Sequence, residues 1–556
     1  MHAHEIAPLL DDVAAQVGPD MAREALYAAE LRRRGAPDAV WDHAPPRVDA
    51  PRLDADLAEL HQQALALRWD GTRFVLDPAG RRASGSFYTP PDVVEHLLDL
   101  ARCEGRVLDP SCGAGRFVLA AARRVGARNA FGVDTDALAV AICRAGIADL
   151  GGDPRQVRLA DALLSDLPDD FDLVVGNPPF LDQLDAASAL PRDVASALKA
   201  RLGDVVSAYA DVATLFLVRG LRLCRPGGRV AMIQPASLLA AQHAAAARRA
   251  LGREGALVAL WWSGEDVFDA QVRVCAPVIE RGAEPGPVRV VTGRAFAHAG
   301  VEAPLGDTWA PLVAFHLPPA RARTRGRLGD VATATADFRD EYYGLRGAVV
   351  EAPDGDLPKL VTTGLVDPCA CKWGRAPAHL HRVAYTHPRV DLDRLAPKMR
   401  AWAARRGVPK VLVATQTRVI EAWVDADGAC IGTTPMISVF ADDPWKVAAV
   451  LLSPFATRWA LENYGGTGMS EDVVKLAARQ VLEIPLPDAP WDAAAELVRR
   501  AHAGEPGALE AAALAMDEAY GVELRPWWAQ RLGRARIRTP KASSATVPSH
   551  PTATSP

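Results

Sequence analysis

The chain has 556 residues with 63 basic and 68 acidic side chains, a formal net charge of −5, and 49% hydrophobic and 24% charged residues. At ~100–200 residues per domain this length predicts two to four domains, and the composition excludes a wholly disordered chain or a small disulfide-stapled module. No apolar run reaches the ~18 residues of a membrane span, the opening MHAHEIAPLLDD lacks the basic flank and apolar core of a signal peptide, and the eight scattered cysteines fit reduced thiols, so a cytoplasmic chain with no membrane partner is expected.

Residues 1–80 predict a helical extension. DDVAAQVGPDMAREALYAAELRRR places apolar residues at helical spacing, and the segment holds 8 Arg against 14 Asp and Glu. AGRRASGSFYTPP then breaks the pattern. From about 93 to 280, short apolar runs alternate with helical segments. The strand candidates are Arg106–Leu108, Ala130–Val133, Gln156–Leu159, Leu173–Val175 and Arg229–Gln234. The helical candidates are Val118–Arg124, Ala137–Leu150, Val212–Cys224 and Ala241–Leu251. This alternation predicts an α/β domain with a largely parallel sheet over 81–285. From 286 to 490 Pro, Gly and β-branched runs predict a mixed α+β domain. Within it, residues 321–420 carry 18 Lys and Arg against 10 Asp and Glu. Such a basic region can bind phosphates locally or simply present a solvated charged face. Residues 491–538 read as helical, and the Pro/Ser/Thr/Ala-rich 539–556 as a disordered tail. No internal repeat is visible.

Chemistry concentrates in four strand ends. VLDPSCGAGRFVLAAARR, residues 107–124, runs from a strand ending at Asp109 through Gly113 and Gly115 into a helix. Glycines at such a turn let a ligand approach the backbone, and a helix N-terminus offers free N–H groups. The next strand, AFGVDTD, ends in Asp134 about 20 residues on, where a carboxylate can accept hydrogen bonds from ribose hydroxyls. VRLADALL ends at Asp161, whose carboxylate, or the backbone of Ala162, can meet an adenine edge. The alternative for both acids, stronger for Asp161 than for Asp134, is a solvated strand terminus. FDLVVGNPPF runs a buried strand into Asn177, Pro178, Pro179 and Phe180. Two prolines remove two N–H donors and stiffen the loop. The exposed carbonyls and the Asn oxygen suit an exocyclic NH₂ group, and the Phe ring suits a planar base.

Asn-Pro-Pro-Phe after DPSCGAGRF resembles the S-adenosylmethionine-dependent amino-methyltransferases of DNA. The order of parts resembles their gamma class, the TaqI-like and Eco57I-like N6-adenine enzymes, with a C-terminal specificity domain. GSFYTPPDVVEHLLDLA, residues 85–101, resembles the family's N-terminal cofactor motif, and DVFDAQVRVCAPVI, residues 266–279, the segment whose aromatic packs on the target base. The resemblance implies a Rossmann-like methyltransferase domain with a helical N-terminal extension and a C-terminal target-recognition domain. It implies cofactor contacts from Tyr88, Thr89, Pro90, Asp109, Ser111, Gly113, Gly115, Phe117, Asp134, Asp161, Ala162 and Asn177. The catalytic set it implies is Asn177, Pro178, Pro179, Phe180 and Phe268. The target adenine would be flipped from double-stranded DNA and methylated at N6, without a metal or a covalent protein intermediate. Cys112 is given no nucleophilic role.

The 286–490 segment resembles the specificity domains of the same group more loosely. Its DNA-contact candidates are Lys372, Trp373, Arg375, Lys398, Arg400, Arg405 and Arg406, each of which can also be plain surface charge. Cys369-x-Cys371 with His379-x-His381 lacks the usual spacing of a structural zinc site. N4-cytosine methylation, an RNA or protein-glutamine substrate, and an inert DNA-binding subunit stay open as alternatives. The 80 residues before the first motif hold no Pro-Asp…Glu-x-Lys cluster. Methylation without cleavage is therefore expected, and a separate restriction endonuclease or phage-defence subunit stays open.

Overall fold

The apolar runs between 107 and 232 become parallel strands covered on both faces, which explains why they read as nearly continuous hydrophobic stretches. They are seen in a computed structural model, described over residues 2–53, 55–77, 89–180, 192–207, 210–263, 267, 273–302, 308–314, 317–336, 339–381, 383–414, 417–464 and 473–536. The chain divides into two units, Met1–Leu317 with Leu461–Glu471, and Pro318–Ala460 with Asp472–Pro556. Among the described residues no helix is long and apolar enough to cross a membrane.

The first unit opens with helices α1 (Ala3–Val17), α2 (Pro19–Arg33) and α3 (Leu57–Ala64) and the hairpin β1 (Leu67–Trp69) and β2 (Phe74–Leu76). Ile6, Leu10, Val13, Leu26 and Leu60 form their core, which also takes in Ala114 and Ile142 from the following α/β part. That part runs α4 (Pro91–Ala101), β3 (Val107–Asp109), α5 (Arg116–Val125), β4 (Ala130–Asp134), α6 (Ala137–Asp149), β5 (Val157–Leu159), β6 (Phe171–Gly176), α7 (Arg192–Leu202), α8 (Val212–Leu223), β7 (Cys224–Met232) and β8 (Gln234–Pro235). It closes with β9 (Gly255–Ser263), β10 (Val274–Arg281), β11 (Val288–Thr292) and β12 (Ala297–Glu302).

Strands β3 to β12 form one ten-stranded sheet in the order β12-β11-β9-β10-β7-β6-β3-β4-β5, with β8 pairing β10. β3 pairs in parallel with both β4 and β6, and β6 in parallel with β7, while β10 runs antiparallel to β7 and β9. Alternate residues point to opposite faces. Val107, Leu173, Val175, Ala231 and Trp261 therefore join one core with α4 and Phe117. Leu108, Val174, Met232 and Trp262 join another with α8 on the far side. The chain leaves β3 toward β4 and β5, then returns to β6 on the other flank. This reversal makes a crevice at the carboxyl ends of β3 and β6, where open α/β sheets place their ligands.

The expected α/β elements lie within a few residues of the observed ones. The expected helix Ala241–Leu251 is interrupted, because Gln242–Ala244 form a 3-10 turn before a helix at Ala245–Glu254. The first unit extends past residue 285, since β11 adds in parallel to β9 and β12 follows it antiparallel.

The second unit holds two four-stranded sheets. One is antiparallel, in the order Thr333–Ala336, Met436–Phe440, Lys410–Ala414 and Glu421–Asp425. The other orders Val349–Glu351, Pro388–Val390, Lys359–Val361 and Cys430–Gly432, with a parallel last pair. The helices Asp492–His502, Ala508–Tyr520 and Arg525–Arg536 belong to this unit, and Tyr520 Oη donates to the Pro485 carbonyl at 2.7 Å. Lys410 and Asp425 face each other across two strands as a buried ion pair of 2.5 Å. The expected tail 539–556 lies outside the described residues.

Candidate active site

The crevice holds a cleft lined by Ala58, Gln62, Thr89, Asp109, Ser111, Cys112, Gly113, Ala114, Arg116, Phe117 and Asn177. β3 delivers Asp109, fully buried at its carboxyl end. Burial pushes this carboxyl up to about 8, with the Asp134 charge adding to the effect and the Ser111 N–H, at 3.0 Å, opposing it. Gly176, ending β6, is required beside it, because a Cβ there would collide with the Asp109 carboxylate. Past Asp109 the chain turns through Gly113, at φ +51°, where an added Cβ would meet nothing. The backbone is thus open toward the cleft. α5 starts on Gly115 with no side-chain cap, leaving N–H groups for an outside acceptor.

Asp134, ending β4, spends its carboxylate on this turn. Oδ2 accepts from the Gly113 N–H at 2.7 Å and Oδ1 from the Asp136 N–H at 2.9 Å. Burial raises its pKa against these donors. Each oxygen retains a further lone pair for a ligand hydroxyl. Asp161 accepts from the Leu163 N–H at 2.8 Å, and Ala162 is buried. Asp134, Asp161 and Ala162 follow the ends of β4 and β5 along the same sheet edge and are not in the cleft wall. Gly115 is needed for packing, because a Cβ there would meet Cys143 Sγ at 2.7 Å. The Cys112 thiol is buried, and its hydrogen bond with Cys143 and burial both push it up, so it is held protonated.

Asn177 leaves β6 directly into the cleft. Its Nδ2 donates to Thr89 Oγ1 at 3.0 Å, and Thr89 is buried at the entry to α4. One hydrogen bond thereby ties the expected cofactor motif to the expected catalytic loop, and it commits Oδ1 to the role of acceptor. Pro178 is buried, and Phe180 packs half-buried on the core beneath α4. Of the expected cofactor residues the cleft wall brings together Thr89, Asp109, Ser111, Gly113, Phe117 and Asn177. Pro90 sits at the start of α4. Tyr88 and Phe268 lie outside the described residues.

Reading the sequence missed Ala58 and Gln62, both on α3. Their i, i+4 spacing puts them on one helix face, but nothing in the sequence says what that face meets.

In the second unit Lys398, Arg400 and Arg405 are exposed, as is Arg375. Lys372 is half-exposed and pairs with Asp367 at 2.9 Å. Trp373 is half-buried between Lys359 and Arg389, whose charges lie 4.9 and 5.0 Å from its ring, and it donates to the Pro388 carbonyl at 2.9 Å. Arg406 corrects the expectation of a surface contact. It is buried, and its guanidinium lies 4.2 Å from the Trp402 ring. Three further arginines of the basic 321–420 region, Arg321, Arg323 and Arg325, are exposed and have no ion-pair partner among the described residues. Cys369 is buried, which pushes its thiol up to about 12.

The fold is that of the α/β, Rossmann-like methyltransferases, and the similar proteins indicate S-adenosylmethionine as the cofactor. Residues 77–291 match the family model described as N-6 DNA Methylase. A Type II methyltransferase of Thermus thermophilus, M.TthHB8I, is 32% identical over 183 residues, 32% of this chain and 40% of that protein. A Type II methyltransferase of Xanthomonas campestris pv. amaranthicola, M.XamI, is 30% identical over 185 residues, 32% of this chain and 35% of that protein. The alignments thus span well under half of each of these relatives. The Type IIL restriction-modification enzyme MmeI, solved with DNA, shares the fold at a TM-score of 0.53 and 12% identity, over 80% of this chain and 74% of that one. The segment around the cleft therefore resembles the TaqI-like DNA N6-adenine methyltransferases.

Proposed function

We propose that the chain is a site-specific DNA methyltransferase that moves a methyl group from S-adenosylmethionine to adenine N6 in double-stranded DNA. The observation that carries this reading is the Asn177–Thr89 hydrogen bond, which holds Asn177, the first residue of the Asn-Pro-Pro-Phe loop, in the wall that also carries the glycine turn. The fit to the cofactor rests on three features. Asp109 is a buried carboxyl without a basic partner among the described residues, suited to an ammonium group. The turn at Gly113 is open, and the start of α5 is uncapped. S-adenosylmethionine supplies a methyl already activated on a sulfonium.

The chain's own work is positioning. The Asn177 side-chain oxygen and the Pro178 carbonyl accept the two protons of the target amine, which turns its lone pair toward the methyl. Phe180 offers a face for the flipped base, and flipping costs a few kcal/mol of stacking. The second unit's exposed cations hold the phosphate backbone. Methylation without cleavage, beside a separate restriction or phage-defence component, completes the reading, as does action on the nucleoid in the cytoplasm.

The test incubates purified chain with radiolabelled S-adenosylmethionine and unmethylated genomic DNA, then separates the nucleosides. Label in N6-methyladenine is the expected result. Label in N4-methylcytosine keeps the loop chemistry and changes the base. Cofactor binding with no label in DNA moves the substrate to RNA or protein.

A further inference from the structure

The cleft is built from two parts of the chain, the α/β core and the N-terminal extension. Helix α3, from the extension, supplies Ala58 and Gln62 to the same wall as Asp109, Gly113 and Asn177. α3 is held against the α/β part at both of its ends. At the start, its N-cap Asp56 accepts from the Ala58 and Glu59 N–H groups and lies 3.8 Å from Arg116, the first residue of α5. Toward the end, the buried His61 places Nε2 2.9 Å from Asp136 Oδ2. Asp136 caps α6 and donates its own N–H to Asp134, which in turn holds the Gly113 N–H. The helix therefore leans on both sides of the glycine turn.

Directly after the second clamp comes Gln62. Its Oε1 is buried and has no hydrogen-bond partner among the described residues. A buried amide end left unsatisfied loses its hydration without return, and proteins rarely leave such a group without a purpose. An amide can present either its oxygen or its nitrogen, so it can accept from an ammonium or hydroxyl or donate to a carboxylate.

We propose that Gln62 is a cofactor-binding residue, whose side-chain amide hydrogen-bonds S-adenosylmethionine across the cleft from the glycine turn. The inference rests on the cofactor reading above and adds the N-terminal extension to the site. The extension is then part of the binding machinery, and His61 is a positioning residue acting through Asp136 and Asp134.

The experiment is calorimetry on the full chain with S-adenosylhomocysteine and with 5′-methylthioadenosine, which lacks the amino-acid end. Gln62→Met keeps the length of the side chain and removes its polar atoms. The expected result is a loss of S-adenosylhomocysteine affinity of about 5–30-fold, the range one buried hydrogen bond supports. In turnover, KM for the cofactor rises and kcat holds. A loss confined to S-adenosylhomocysteine puts the hydrogen bond at the amino-acid end, and a loss for both ligands puts it on the nucleoside. Wild-type binding with Gln62→Met unchanged within twofold overturns the inference and leaves the cofactor reading intact. A wild-type chain that binds neither ligand overturns the cofactor reading itself, and this one with it. Hydrogen exchange on the unmutated chain gives an answer even where Gln62→Met fails to fold. The amides of residues 57–64 gain protection with S-adenosylhomocysteine if Gln62 binds it, and an unchanged exchange rate there counts against the proposal.

Discussion

The two units bury charge in opposite ways. In the second, Lys410 and Asp425 lie inside together. Lys410 Nζ reaches Asp425 at 2.5 Å and the Arg406 carbonyl at 2.7 Å, and Asp425 also accepts from the Ala429 and Cys430 N–H groups at 3.1 and 3.0 Å. Both charges of the pair are answered within the chain. In the first unit Asp109 is as deeply buried but, among the described residues, is answered by Ser111 alone. A buried carboxyl at a cleft, with no basic partner among the described residues, is suited to a cation from outside. A buried pair closed on itself belongs to the fold.

Four measurements break or sharpen that contrast. The largest effect is expected at the closed pair. Lys410→Ala leaves Asp425 buried and unpaired and costs about 3–5 kcal/mol in denaturant unfolding. Replacing both residues with apolar ones restores most of that, and a single-variant effect below about 1 kcal/mol would make the pair incidental. Next is Asn177→Ala, expected to lower kcat by about 100-fold or more while cofactor affinity stays within a few-fold. A rate within about tenfold of wild type would remove Asn177 from the chemistry.

Third is pH. Asp109 is protonated below about 8 in the free chain, so pairing it with an ammonium releases a proton. Cofactor affinity should then rise with pH, by up to about tenfold per unit between about pH 6 and 7.5. Asp109→Asn should flatten the profile, and a wild-type profile that is already flat denies the pairing. The smallest effect is on the surface. Neutralising Arg321 and Arg325 should reduce the log–log salt dependence of DNA affinity by about 0.9 for each phosphate no longer neutralised. An unchanged slope would make these arginines plain solvated charge.

The parallel half of the sheet was legible because covering both faces leaves an unbroken apolar signature in Leu173–Val175 and Arg229–Gln234. The glycine turn and the Asn-Pro-Pro-Phe loop were legible because their residue types carry backbone consequences that few other sequences supply. Arg406 was misread because charge in a sequence does not show the indole of Trp402 beneath it. The boundary at 285 fell short because β11 and β12 extend the sheet at an edge, and a change of texture cannot distinguish added strands from a new domain. Gln62 was invisible for a related reason: an amphipathic helix announces a buried face and a polar one, and only the fold shows that the polar face borders a cleft.

The packing of the extension bears on how the protein can be divided. A fragment trimmed to the family-matching stretch, residues 77–291, would keep every motif yet strip Asp136 of His61 and Arg116 of Asp56. It would bare the apolar surface around Ala114 and Ile142, and it would cost Arg144 its bonds to the Val40 carbonyl at 3.2 Å and to Asp42 at 2.9 Å. The smallest stretch that keeps these contacts is therefore larger than the segment that similarity outlines.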